Sequence, residues 1–67
     1  MTSRPVIAID AMGGDTAPAN EVTGAVMAAR KWQISVVLVG QSELIEKELA
    51  NHDIQGIDVS VVQASQV

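Results

Sequence analysis

Three apolar runs, separated by two stretches of helical periodicity, restrict this chain more than any other feature. The runs are Val6-Ile7-Ala8-Ile9, Ile34-Ser35-Val36-Val37-Leu38-Val39 and Ile57-Asp58-Val59-Ser60-Val61-Val62. Each is short and rich in β-branched residues, which suits a strand. Strands joined through helices at such short spacings pair in parallel by right-handed crossovers. The fold class is therefore α/β, in the order β-α-β-α-β. A continuously apolar first run predicts a strand covered on both faces, whereas the alternation of Asp58 and Ser60 predicts a third strand less completely covered. Two helices cannot cover both faces of a three-stranded sheet. Residues 1–67 are accordingly expected to be the N-terminal part of one larger α/β domain without an internal boundary, or to be completed by another chain.

Pro18, Val22, Ala25, Val26, Ala29 and Trp32 recur at the spacing of one helical face, which predicts a first helix packed on the sheet. Pro18 suits its first turn, where a missing N–H costs nothing. Asn20 and Glu21 at its start and Arg30-Lys31 at its end match the helix dipole. Gly24, in mid-helix at a cost of about 1 kcal/mol against alanine, is expected to allow close approach to the sheet. Ser42 reads as the N-cap of a second helix, Glu43 to about Asn51, with Leu44, Ile45 and Leu49 facing inward. Glu43, Glu46, Lys47 and Glu48 form its solvated face. His52 follows the helix, where the dipole favours its cation and a structural role outweighs a catalytic one.

The candidate site is Asp10-Ala11-Met12-Gly13-Gly14-Asp15, between the first strand and the first helix. A strand, a glycine turn and a helix start leave free backbone N–H groups at the carboxyl end of a parallel strand, where open α/β sheets bind ligands. An anion suits such a turn. The adjacent Gly13-Gly14 pair does not make the dinucleotide fingerprint G-x-G-x-x-G, and no lysine stands where a phosphate-binding P-loop needs one. Asp10 and Asp15 repel an anion unless they have another task. They could hold Mg²⁺, orient the loop or act on a substrate proton, and Asp15 could instead satisfy the first helix's N–H groups. Met12 reads as an apolar anchor beneath the turn, with an apolar substrate channel as the other reading.

With no cysteine, neither a disulfide nor a thiolate metal site can stabilise a chain this short. The net charge of -4, with Arg4, Arg30, Lys31 and Lys47 not in one cluster, argues against a nucleic-acid surface. The first apolar run is too short for a signal peptide and is broken by Asp10, so no exported leader is expected. The longest later apolar run falls far below the roughly 20 residues that span a bilayer.

Ile7-Ala8-Ile9-Asp10-Ala11-Met12-Gly13-Gly14-Asp15 with Ala17-Pro18 resembles the N-terminal signature of bacterial phosphate acyltransferases of fatty acid and phospholipid synthesis. Gly24-Ala25, Val37-Leu38-Val39-Gly40 and Val62-Gln63-Ala64-Ser65-Gln66-Val67 continue the likeness. Thr16 stands where many members carry histidine, which argues against an essential imidazole there. The resemblance implies the opening of a Rossmann-like three-layer parallel sheet, of isopropylmalate-dehydrogenase-like architecture, from a chain several times longer. It implies transfer of a long-chain acyl group from acyl carrier protein to inorganic phosphate, with Asp10, Met12, Gly13, Gly14 and Asp15 at the phosphate or acyl-phosphate site and Asp10 as the catalytic candidate. No cofactor or metal is implied. A homodimer in the cytoplasm, peripheral at the inner face of the cell membrane, is implied for the family-length protein. The other two readings are a Mg²⁺-dependent phosphate-ester or nucleotide enzyme using Asp10 and Asp15, and a folded module without chemistry of its own.

Overall fold

The computed structural model describes residues 5–64. Expectations resting on Met1 to Arg4 and on Ser65, Gln66 and Val67 lie outside the described residues. Strand β1 (Val6–Asp10), helix α1 (Ala19–Trp32), strand β2 (Ser35–Gly40), helix α2 (Ser42–Leu49) and strand β3 (Asp58–Gln63) follow in that order. The strands form one sheet in the order β1-β2-β3, and both pairings are parallel, with Val36 beside Ile7 and Val59 and Leu38 beside Ile9 and Val61. The α/β reading from the apolar runs is what the chain adopts.

Both helices pack on β2 and β3 and on each other. Their shared layer explains the burial alternation along β2, where Val36, Leu38 and Gly40 are buried while Ser35, Val37 and Val39 are only half-covered. The core is Val22, Ala25, Val26 and Ala29 from α1, Val36 and Leu38 from β2, and Ile45 and Leu49 from α2, joined by Ala11 and Ile34. Register places Val6 and Ala8 on the same face as Val37 and Val39, away from the helices. That face is uncovered among the described residues, and Val6 is 65% exposed. The expectation that β1 is covered on both faces is not met here, because β1 is an edge strand and both helices lie on one side.

Other local expectations are corrected by packing. Trp32 is 62% exposed and Leu44 41% exposed, so neither faces the core. Trp32 belongs to the last turn of α1, and its ring lies 5.2 Å from the Lys31 ammonium. Gly24 is exposed, and a Cβ placed on it would meet nothing within 4 Å. It therefore does not serve helix-to-sheet approach. Pro18 is the N-cap of α1 rather than its first helical residue, after a cis Ala17–Pro18 peptide. The end charges of α1 are as expected, with Glu21 in the first turn and Arg30 and Lys31 in the last.

Helix α1 also makes polar contacts with the segment that follows α2. The Arg30 guanidinium donates to the Asp53 carbonyl. His52 Nε2 lies 3.5 Å from Thr23 Oγ1, in keeping with a structural role for that ring.

Candidate functional site

The three strands point the same way, so their carboxyl ends meet along one edge of the sheet. β1 ends in Asp10, β2 in Gly40 and β3 in Gln63. Between them lies a hollow of ≈ 440 Å³ lined by Asp10, Met12, Val39, Gly40, Gln41 and Ala64. Asp10 and Met12, both singled out by sequence, are thus brought together with four residues that the sequence reading did not place at the site. Gly40 was named in the sequence only as part of the family likeness. Gln41 and Ala64 became candidates once the parallel pairing was known.

Asp10 folds its carboxylate back over the turn, and its Oδ1 accepts the Met12 N–H at 3.0 Å. A side-chain oxygen that accepts an N–H two residues on is an Asx turn, which fixes the path of the backbone as it leaves the strand. Its second oxygen faces Gly13, where an added Cβ would lie 3.5 Å from Oδ2. Ala11, fully buried, continues the sheet by donating to the Val39 carbonyl at 2.9 Å.

Met12 projects across the edge toward β2. A Cβ on Gly40 would lie 2.5 Å from Met12 Cγ and 3.0 Å from its sulfur. Gly40 is thus needed for close approach, and the thioether fills the space that a side chain would take. This packing agrees with the reading of Met12 as the anchor of the turn. The anchor also forms part of the hollow's wall.

Beyond Met12 the backbone turns through Gly14 and Thr16, whose carbonyls accept the Ala17 and Ala19 N–H groups at 3.2 and 3.0 Å. The N–H groups of Gly13, Gly14, Asp15 and Thr16 have no acceptor among the described residues. No side chain among the described residues caps α1, so Asp15, which is exposed, does not play the capping role open to it. Glu21 reaches back from the first turn of α1 instead. Its Oε2 lies where an added Cβ on Gly14 would be 2.4 Å away, and its Oε1 is buried without a hydrogen-bond partner. Sequence reading treated Glu21 only as a dipole-matching charge. Its position three residues beyond Pro18 gave no sign that it would return to Gly14.

The second strand-to-helix turn is built differently. Gln41, not Ser42, is the N-cap of α2. The Ser42 N–H and Oγ both donate to Gln63 Oε1, at 3.0 and 2.9 Å. A side chain from β3 therefore caps this helix, whereas no side chain among the described residues caps α1.

No group of three or more His, Cys, Asp or Glu side chains among the described residues is placed to hold a metal ion. No described helix is long and apolar enough to cross a membrane.

A three-stranded parallel sheet with helices between its strands and a glycine turn at its carboxyl edge defines an α/β protein. Within that class, the chain belongs to the fatty acid synthesis protein family, whose model matches residues 6–67. It is 54% identical over 61 residues to the phosphate acyltransferase of Geobacter sulfurreducens, an alignment covering 91% of this chain and 18% of that protein. It is 48% identical over 67 residues to the phosphate acyltransferase of Syntrophotalea carbinolica, covering 100% of this chain and 19% of that protein. A third such relative, from Geobacter sp. strain M21, is 52% identical over 61 residues, covering 91% of this chain and 17% of that protein. The chain thus spans less than one-fifth of the length of these relatives. No solved structure matches it.

Proposed function

We propose that these residues open an enzyme that transfers a long-chain acyl group from acyl carrier protein to inorganic phosphate, giving acyl phosphate for phospholipid synthesis and free carrier. The observation that carries the reading is the run of unclaimed N–H groups from Gly13 to Thr16, in a member of a fatty acid synthesis family. Such groups are donors that need no reorganisation when charge develops beside them. In the reaction a phosphate oxygen attacks the thioester carbonyl carbon, and the tetrahedral oxyanion collapses as the C–S bond breaks. The sulfur leaves as thiolate and takes a proton to become the carrier's thiol.

Gly13 and Gly14 let the backbone approach the phosphate or the oxyanion. Asp10 keeps that backbone in place through its bond to the Met12 N–H, and Met12 anchors the turn against Gly40. Asp15 is exposed on the same turn. Asp10, Asp15 and Glu21 place negative charge around the turn, so basic groups from the remainder of a family-length chain must offset it before phosphate can bind. For that reason residues 1–67 alone are expected to be inactive. The family-length protein is expected to act as a homodimer in the cytoplasm, peripheral at the inner face of the membrane, and to use no cofactor or nucleic acid.

The test is phosphate-dependent release of free carrier from long-chain acyl carrier protein by the longest natural reading frame that contains these residues, with and without EDTA. Release that requires phosphate and persists in EDTA is the expected result. Absence of release, or release only with a divalent metal, would overturn the reading. The metal-dependent outcome would transfer Asp10 and Asp15 to the Mg²⁺ chemistry considered from sequence.

A further inference from the structure

The proposed acyl transfer leaves unexplained why a glutamine at the end of β3 holds the start of α2. The residues are distant in sequence, and the contacts converge on one amide. Gln63 Oε1 accepts two hydrogen bonds, from the Ser42 N–H and from Ser42 Oγ, at 3.0 and 2.9 Å. Its Nε2 donates to the Ala64 carbonyl at 3.2 Å. The backbone reinforces the same junction, since Gly40 pairs with Gln63 in the sheet and the Ala64 N–H donates to the Gly40 carbonyl at 2.8 Å. One side chain therefore ties the end of β3, the turn after β2 and the first residue of α2.

These segments form part of the wall of the hollow that Asp10 also lines. Val39, Gly40, Gln41 and Ala64 line it, and each lies within a few residues of a group that Gln63 holds. With Met12 they make a mainly apolar surface, whereas the unclaimed N–H groups lie on the glycine turn. The two parts of the edge therefore offer different chemistry. The turn suits an anion, and the wall suits the uncharged, apolar end of an acyl thioester.

We propose that Gln63 is a positioning residue, which sets the apolar wall against which the acyl donor rests and leaves the phosphate turn unaffected. The proposal rests on the acyl-transfer reading. Gln63 does not touch the reacting atoms. It acts through Ser42, Gly40 and Ala64, so its loss shifts the wall while the Asp10–Met12 bond remains in place.

The experiment compares Gln63→Ala, Gln63→Glu and Ser42→Ala with the wild-type protein in the longest natural reading frame. It measures kcat and separate KM values for long-chain acyl carrier protein and for inorganic phosphate. Gln63→Ala is expected to raise KM for the acyl donor about tenfold, with kcat and KM for phosphate changed less than about twofold. Gln63→Glu keeps an oxygen for both Ser42 bonds but loses the donor to the Ala64 carbonyl, so it is expected to restore the acyl-donor KM only in part. Ser42→Ala removes one donor and leaves the fold's other contacts, so it is expected to give a smaller rise of about threefold in the same constant. A purely structural role would move both KM values and kcat together. That pattern, or an unchanged acyl-donor KM in both Gln63→Ala and Ser42→Ala, would overturn the proposal. Should the wild-type protein release no carrier, the acyl-transfer reading itself fails, and the assay shows this before any variant is compared.

Discussion

A methyl group at Gly40 is a sharp test of how the carboxyl edge is packed, because the structure determines even the sign of its effect. Gly40 carries no positive φ, and in ordinary strand conformation a glycine-to-alanine change stabilises by about 0.4–1 kcal/mol through the unfolded chain. Here the new Cβ would stand 2.5 Å from Met12 Cγ and 3.2 Å from Ile45 Cδ1. Ile45 is fully buried and has little room to move. Met12 Cγ lies near the root of its side chain, so rotation of the far end alone cannot relieve the contact. Overpacking of this kind costs about 1–3 kcal/mol, and the net result is a loss of roughly 1–2 kcal/mol once the entropic gain is set against it.

Met12→Ala alone removes a half-buried thioether and should cost about 1–2 kcal/mol, less than a fully buried methionine. In the double variant the alanine methyl occupies space vacated by the thioether. The double loss should then fall short of the sum of the single losses by about 1 kcal/mol or more, with full rescue prevented by Ile45. Urea denaturation of the longest natural reading frame, followed by tryptophan fluorescence and by far-ultraviolet circular dichroism, measures all four proteins. A stabilised Gly40→Ala variant, or strictly additive losses, would refute the argument that Met12 and Gly40 are packed against each other.

Gly13→Ala meets only ordinary contact, since the nearest atom is Asp10 Oδ2 at 3.5 Å. Its stability in urea should change by less than about 0.5 kcal/mol, while its KM for phosphate should rise at least tenfold if the backbone must approach the anion closely. Asp10→Asn retains an oxygen for the Met12 N–H and should keep kcat within about fivefold of wild type, whereas Asp10→Ala should lose about 1 kcal/mol of stability along with activity. A fall of a hundredfold or more in kcat for Asp10→Asn would instead mark proton transfer as its task. Gln33, which ends α1 at φ 53 in the left-handed region, should yield to glycine with a gain of about 1 kcal/mol in thermal or urea denaturation and no change in either KM.

Much of this architecture was already contained in local chemistry. Apolar runs of strand length, a 3.6-residue apolar period in α1 and end charges matched to its dipole required no knowledge of distant neighbours. The acid and glycine pair after β1 marked the candidate turn for the same reason, because a strand that stops in such residues must change direction there. Several failures of the sequence reading concern which side of an element meets the rest of the chain. Trp32 fits the apolar stripe but is exposed at the end of α1. Gly24 lies on the side of α1 away from the core. Ser42 has the side chain of an N-cap, yet an amide oxygen from β3 caps the helix.

Periodicity reports which residues share a face, and turn chemistry reports where the backbone bends. Those properties depend on neighbours within about one helical turn, so the amino-acid sequence alone determined the α/β class, the element order and the glycine turn. The tertiary structure decided which face was covered, that Met12 packs against Gly40, and that Gln63 reaches Ser42. Each of those outcomes depends on the register of parallel strands joined through helices, which brings side chains together across distances that local patterns do not encode.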